Sequence, residues 1–299
     1  MKHENAEKVF RAALFLSAIS AALILFFIVL FLIKESLPYL LKADVAGFLA
    51  GTKWKPQDNV YGAGVFIAGS LLTTGGALII AVPLGIACAI FLSEVAPKNA
   101  ANTVRPAIEL LAGIPSIVYG LFALVVIVGF IQCDLGRLFT GELFPSGKGL
   151  LAASLILGLM ILPIIISISQ DAISSVPRNF REASYALGST KWQTIWRVVI
   201  PAASPGIVAG VILGTGRAIG ETMAVVLVLG NVGMIPNGLI GLGSRGETLT
   251  SAIMMEMSYA SVGSVHYGAL FTLGLMLFLM AFVLSVASEC ALSRGRRTR

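Results

Sequence analysis

Long uncharged stretches separated by short clusters of charge run the length of this chain. The first extends from about Ala12 to Ile33, unbroken in Ala, Leu, Ile and Phe until Lys34 and Glu35 end it. About 20 apolar residues cross a hydrocarbon core of ~30 Å, so this stretch is one span. It lacks a small-residue cleavage site and is longer than a signal-peptide core, which makes it a retained helix. Between Asp58 and Glu94 lie 35 uncharged residues, ~52 Å as one helix at 1.5 Å per residue. Tyr61, Gly62, Ala63 and Gly64 are therefore read as a turn and interfacial entry, and Gly69 to Leu92 as the second span, with Pro83 either kinking it or satisfied by a neighbouring helix. A third span is expected from Ile108 to Ile131 and a fourth from Gly149 to Ser169. The fifth starts at Ser204 and Pro205, a good N-cap followed by a good first helical residue, and ends near Leu229. The last runs from Tyr267 to Ser288. The expectation is an all-α polytopic transmembrane bundle of six spans.

Composition agrees with that reading. Of 299 residues 57% are hydrophobic and 12% charged, about half the ~25% charge of a soluble domain, and the mean hydropathy is +0.92. A soluble globular enzyme and a disordered chain are excluded. The net charge of +6 reports topology before it reports nucleic acid. With the N-terminus inside, inner segments hold thirteen Lys and Arg residues and outer segments seven, leaving Arg217 within a span. The bias places both termini in the cytoplasm. The third outer segment, about Asn231 to His266, contains a candidate short helix from Thr248 to Tyr259, lying at the outer surface or dipping into the protein.

The inner segment from Gln170 to Ser204 exceeds the 2 to 8 residues usual between packed helices and reads as helix-turn-helix. Pro177 suits a first turn, Glu182 the positive N-terminal half, and Gly188 a left-handed stop. Thr190 and Gln193 have capping-box spacing. Trp192, Ile195, Trp196 and Val199 then fall on one i, i+3, i+4, i+7 stripe, with Lys191 and Arg197 off it. Such a stripe either anchors indoles among lipid headgroups or docks into a groove on a soluble partner. The pattern alone leaves both open.

Here the residues resemble a known family. Glu182, Ala183, Ser184, Gly188, Val198, Ile200 and Pro201 are similar to the EAA motif of ABC-importer permeases, with Ser184, Val198 and Ile200 as conservative departures. The strings Ile108-Glu109-Leu110-Leu111-Ala112-Gly113-Ile114-Pro115-Ser116-Ile117-Val118-Tyr119-Gly120 and Gly216-Arg217-Ala218-Ile219-Gly220-Glu221-Thr222-Met223-Ala224-Val225 resemble the phosphate ABC-transporter permease family, within it the PstC-type branch. Trp54, Pro56, Tyr61 and Gly62 resemble it too. The resemblance implies a type I ABC-importer permease fold, with an N-terminal helix and first outer loop over 1–64, a permease core over 65–290 holding a coupling loop at 170–204, and a basic tail at 291–299. It implies that Glu182, Ala183, Gly188, Trp192, Trp196 and Pro201 meet an ATPase. The partners implied are a PstA-like second permease, a PstB-like ATP-binding subunit dimer, an external phosphate-binding protein, phosphate and the lipid bilayer of a bacterial or archaeal cytoplasmic membrane.

A charge at bilayer depth costs at least ~2.5–3.5 kcal/mol, so Arg217 and Glu221 in one span are functional candidates. On a continuous helix with Gly206 at zero, Arg217 falls at about 20°, Gly210 at about 40°, Glu221 at about 60° and Gly214 at about 80°. Both charges then share one face with a glycine ladder that admits another helix closely. The pair is either a packing lock or an anion pathway in which Arg supplies forked donors and Glu restrains them. Glu109 and Tyr119 are weaker candidates.

Other chemistry is thin. Cys88, Cys133 and Cys290 have no disulfide or zinc spacing, and His3 and His266 are expected as surface or packing residues. Gly147-Lys148-Gly149 lacks P-loop spacing, so ATP, if it drives transport, binds another polypeptide. No cofactor, metal or nucleic acid is expected. The expected function is a permease half-channel for phosphate; alternatives are another oxyanion such as molybdate or sulfate, a proton-coupled secondary transporter using Glu221, and a membrane scaffold.

Overall fold

The computed structural model describes residues 2–135, 146–233 and 243–297, so Arg137, Gly141 and part of the third outer segment lie outside the described residues. The chain is a helical bundle: α1 (Lys2–Leu40), α2 (Val45–Ala50), α3 (Gly64–Val95), α4 (Lys98–Ala112), α5 (Ser116–Cys133), α6 (Leu150–Ser174), α7 (Arg178–Ala186), α8 (Lys191–Gly220), α9 (Met223–Leu229), α10 (Leu249–Glu256) and α11 (Val265–Arg297). Among the described residues, six helices are long and apolar enough to span a membrane: α1, α3, α5, α6, α8 and α11. The protein is thus a multi-pass membrane protein. The one sheet among the described residues is a two-stranded hairpin, Trp54–Lys55 paired antiparallel with Val60–Tyr61, closed by a single 3-10 turn.

Several limits differ from the sequence expectation. Lys34 and Glu35 do not end the first helix, which continues through Pro38 to Leu40. Lys34 reaches out to the surface and Glu35 turns into the molecule, so charge alone is no stop signal. The third span is not one helix from Ile108 to Ile131. An amphipathic helix, α4, ends at Ala112, and the turn Gly113-Ile114-Pro115 separates it from α5. Proline disfavours helical backbone in the residue before it, here Ile114. The fifth span does not begin at Ser204: helix runs from Lys191 through a π turn at Ile195–Val199 and on to Gly220. The Ser204 hydroxyl donates back to the Pro201 carbonyl at 2.8 Å instead of capping. The helix also does not reach Leu229, because the backbone turns extended at Glu221 (ψ 128°) and restarts at Met223.

α6 is the axis of the bundle, with most of its apolar length buried, whereas α1 lies at the edge and packs along one side only, Phe31 meeting Phe271 of α11 at 5.5 Å. Three buried clusters stack along the molecule. Phe48, Phe66, Leu249, Leu270 and Leu273 form one end. Ile156, Leu157, Met160, Ile161, Val225 and Leu229 fill the middle. Ile90, Ile173, Ile195, Val199 and Ile207 form the end that carries α7 and the start of α8.

Close helix contact depends on glycine. A Cβ at Gly206 would stand 2.5 Å from the Ala172 Cβ, one at Gly210 3.1 Å from Ile168, and one at Gly214 3.1 Å from Ile165. The ladder therefore seats α8 on α6. Gly216, on another face of α8, has open space. Forced overpacking costs roughly 1–3 kcal/mol, so Gly206→Val should lower the melting temperature of the detergent-purified chain well below that of Gly216→Val. Equal melting temperatures would remove the ladder from the packing account.

Candidate functional site

Two interrupted helices meet inside the bundle. α5 starts after the 113–115 turn and α9 starts after the break at Glu221 and Thr222. The two starts pack together: a Cβ at Gly120 would stand 2.9 Å from the Ala224 Cα. Each break is patched by a side-chain hydroxyl. Tyr119 Oη donates to the Leu111 carbonyl at 2.8 Å across the first, and Thr250 Oγ1 on α10 donates to the Glu221 carbonyl at 2.9 Å across the second. Irregular backbone at membrane depth survives only with such partners.

Arg217 occupies the last turn of α8, where its charge is favoured by the carbonyl end of the helix. Its side chain is exposed. Glu221 is half-buried, and its Oε1 accepts from the Ala224 amide at 3.4 Å. No ion pair joins Arg217 to Glu221 among the described residues. The intrahelical lock is corrected here: Glu221 is the last residue at this end of α8 with a helical φ (−71°), the chain turns away after it, and its carboxylate serves the start of α9 instead of Arg217. Glu109 lies on α4, exposed, 3.1 Å from Arg105, which also reaches Asp171 at 3.1 Å. Tyr119 is buried against the bundle core.

At the other end, α7 and the start of α8 form the helix-turn-helix. Gly188 has φ +81°, and Thr190 and Gln193 exchange both capping-box bonds. The tryptophan stripe divides. Ile195 and Val199 are buried, while Trp192 and Trp196 are exposed and meet edge to face at 6.3 Å. The π turn at 195–199 shifts the register of the stripe, which a regular helical count does not foresee. Glu182, Ala183, Gly188, Leu187 and Pro201 are also exposed, and nothing lies within 4 Å of a Cβ placed at Gly188. The Ser184 and Thr194 hydroxyls are 2.9 Å apart inside the pair.

Sequence reasoning missed the anchor of this element. Arg181 donates to Glu94 at the end of α3 through Nη2 at 2.6 Å and Nε at 3.1 Å, and it also donates to the carbonyls of Ile173 and Val176. Its side chain and that of Glu94 are 17% and 9% exposed, so the pair is one a membrane-edge protein retains only with full hydrogen bonding. The spacing of 87 residues left no local signal.

A second missed cluster lies at the opposite end. The Trp54 indole donates to Glu256 at 2.8 Å, His266 Nε2 lies 2.7 Å from the same carboxylate, and the His266 ring stacks on Tyr61. His266 is thus part of a polar-aromatic clasp between the β hairpin, α10 and α11. The Thr248–Tyr259 segment packs inward: Leu249, Thr250, Ser251 and Ala252 are buried, and Ser70 on α3 accepts from the Leu249 amide at 3.0 Å. Among the described residues no group of three or more His, Cys, Asp or Glu side chains fits a metal ion.

The sequence profile described as "Binding-protein-dependent transport system inner membrane component" matches residues 81–291. The chain is 44% identical over 240 residues to the probable ABC transporter permease protein YqgH of Bacillus subtilis (strain 168), covering 79% of this chain and 74% of that one. It is 40% identical over 264 residues to the phosphate transport system permease protein PstC of Haemophilus influenzae, covering 84% and 82%. In three dimensions it resembles a chain of a bacterial alginate ABC transporter crystallised with an alginate pentasaccharide-bound periplasmic protein, with a TM-score of 0.61 at 17% identity over 98% of this chain and 97% of that one. It also resembles a chain of the inward-facing MetNI methionine ABC transporter, with a TM-score of 0.55 at 20% identity over 81% and 99%. The fold is that of ABC-importer permeases.

Glu247, beside the clasp, is buried, and burial with the nearby Glu256 charge pushes its carboxyl up from 4.5 to about 7. A raised carboxyl pKa means the native chain keeps a proton that the unfolded chain has lost. The stability that Glu247 contributes is therefore fully present below about pH 4.5, is lost as pH rises to about 7, and changes no further above that. Glu247→Gln should flatten this fall, giving a variant on the order of 3 kcal/mol more stable than the parent at pH 8, with the gap closing toward pH 4.5. Thermal unfolding in detergent at the two pH values measures it.

Proposed function

We infer the function from family and site together: the chain belongs to the binding-protein-dependent transport system inner membrane components, and we read it as the permease subunit of an ATP-driven phosphate importer. It is a permease and not an enzyme. The observation that carries the reading is Arg217, an exposed arginine on a membrane-length helix, beside two apposed helix breaks. An uncovered guanidinium there is tolerable only where another subunit or an aqueous pathway meets it. Its planar fork suits phosphate oxygens, and binding through one exposed cation stays weak enough for release. The 40% identity to a phosphate transport permease over most of both chains supports phosphate as the cargo.

The partners follow from the same reading. A PstA-like second permease completes the pathway opposite Arg217. A PstB-like ATPase dimer takes the exposed face of Glu182, Ala183, Gly188, Trp192, Trp196 and Pro201, and an external phosphate-binding protein delivers cargo at the far end. Both termini lie in the cytoplasm. Residues 1–64 act as an accessory helix and outer loop, 65–290 as the transport core and 291–299 as a basic inner tail. ATP binding closes the ATPase dimer, the 170–204 loop carries that motion through Arg181 and Glu94 into α3, and the bundle opens outward. Hydrolysis returns it. Glu221, no longer a partner of Arg217, shapes the start of α9 beside the pathway.

Proteoliposomes holding this chain, its sister permease, the ATPase and loaded binding protein should take up phosphate only with ATP, and sulfate or molybdate should not compete. Uptake without ATP would move the chain to the secondary-transporter class, and competition by molybdate or sulfate would move it to another oxyanion. Arg217→Gln should abolish uptake while the complex still assembles; loss of assembly would return Arg217 to a packing role. Because the φ of +81° at Gly188 would strain any side chain, the bulk is better placed on regular helix by Ala183→Trp, on the same exposed face of the element. This variant should leave ATP hydrolysis running without transport, and coupled uptake at the parental rate would remove that face from the ATPase interface.

A further inference from the structure

A cavity of about 450 Å³ lies where α1 ends and α11 begins, roofed by α2 and the hairpin. It is within the ~300–1,000 Å³ usual for small-ligand sites. Its charged lining is Glu35, Lys42 and Asp44, and its aromatic lining includes Tyr39, Phe48 and Tyr267. Glu35 is three-quarters buried, and its contact with Lys34 is a loose 3.7 Å. Asp44 uses Oδ1 to accept from the Ala46 amide at 3.1 Å, which caps α2. Tyr39 is held by edge contacts to Phe48 at 5.3 Å and Tyr61 at 5.8 Å.

Two carboxylates against one lysine disfavour a simple anion, and no metal-binding cluster is present among the described residues. Carboxylates and tyrosine faces together attract an ammonium group, whose three N–H donors match the free carboxylate oxygens. Lys42 offers a single cation for a phosphate. The position decides the source. The cavity sits at the ends of membrane-length helices, where such helices meet lipid headgroups, and the adjoining α1 leaves the apolar face turned away from α11 exposed, with Leu37 and Leu41 uncovered beside the cavity lining. We propose that this cavity binds the ethanolamine headgroup of a membrane phospholipid, with the ammonium between Glu35, Asp44 and the tyrosines and the phosphate at Lys42. The proposal goes beyond the transport reading and does not depend on the cargo.

The test uses the assembled complex in nanodiscs of equal phosphatidylethanolamine and phosphatidylglycerol, with tightly held lipid quantified by native mass spectrometry. Phosphatidylethanolamine should be retained over phosphatidylglycerol by about fivefold, the ratio for one headgroup charge contact of ~1 kcal/mol. Glu35→Gln with Asp44→Asn, which keeps an Asn cap on α2, should bring the ratio to parity, whereas Lys42→Ala, at an exposed position, should lower retention of both lipids, whose phosphate is the same, and leave the preference standing. Retention without preference overturns the proposal, and so does a preference unchanged in the double carboxylate variant. Saturable binding of soluble O-phosphoethanolamine without lipid would overturn the lipid source.

Discussion

A backbone carbonyl or amide in hydrocarbon has no water to turn to, and this constraint organises the bundle around its interruptions. The chain breaks helix after Ala112 and after Gly220, and at each break a hydroxyl from elsewhere takes up a freed carbonyl. Tyr119 and Thr250 are therefore as much part of the backbone account as the helices. Because α5 and α9 begin at these breaks and pack start to start, the least regular backbone of the transport core is gathered in one place. Arg217 stands there. A single chain leaves that arginine uncovered, which makes the isolated chain an incomplete object and the assembled importer the natural unit.

The glycine ladder of α8 and the clamp of Arg181 set what can move against what. α8 and α6 touch at distances that leave no room for a methyl group at Gly206, so the two behave as one slab. α7 and the head of α8 are tied to α3 through Glu94. The exposed tryptophans ride on this fixed element, and it is this face that the proposed ATPase docking uses.

Hydropathy carried the architecture: six spans were legible because nothing but a membrane explains uncharged runs of that length. Helix limits were legible where a local device sets them, as at Thr190 and Gln193 or at Gly188. They were not legible where distant partners decide. Ser204 and Pro205 look like a start, but the preceding turn already holds helical backbone and buries Ile195 and Val199 in the inner core. Arg217 and Glu221 look like an ion pair, but the identity of the residues says nothing of a break patched by Thr250 from 29 positions away. His266 looked isolated because Trp54 and Glu256 join it only through the fold. Charge order, glycine spacing and capping are local grammar, whereas clasps and clamps are tertiary.

α3 deserves a mechanical reading. It is a 32-residue helix, roughly 48 Å long, gripped at one end by Arg181 through Glu94 and at the other by α10, whose Leu249 amide hangs on Ser70. Pro83 lies within it and a π turn forms its Glu94 end, so it is a rod with two joints: a shift at the gripped end reaches the other through those joints and not along one rigid axis. α10 is also fastened to the Glu221 break. One helix thus joins the Arg181 clamp to the Glu221 break by way of α10, a mechanical path made of three hydrogen-bonded grips and the backbone between them.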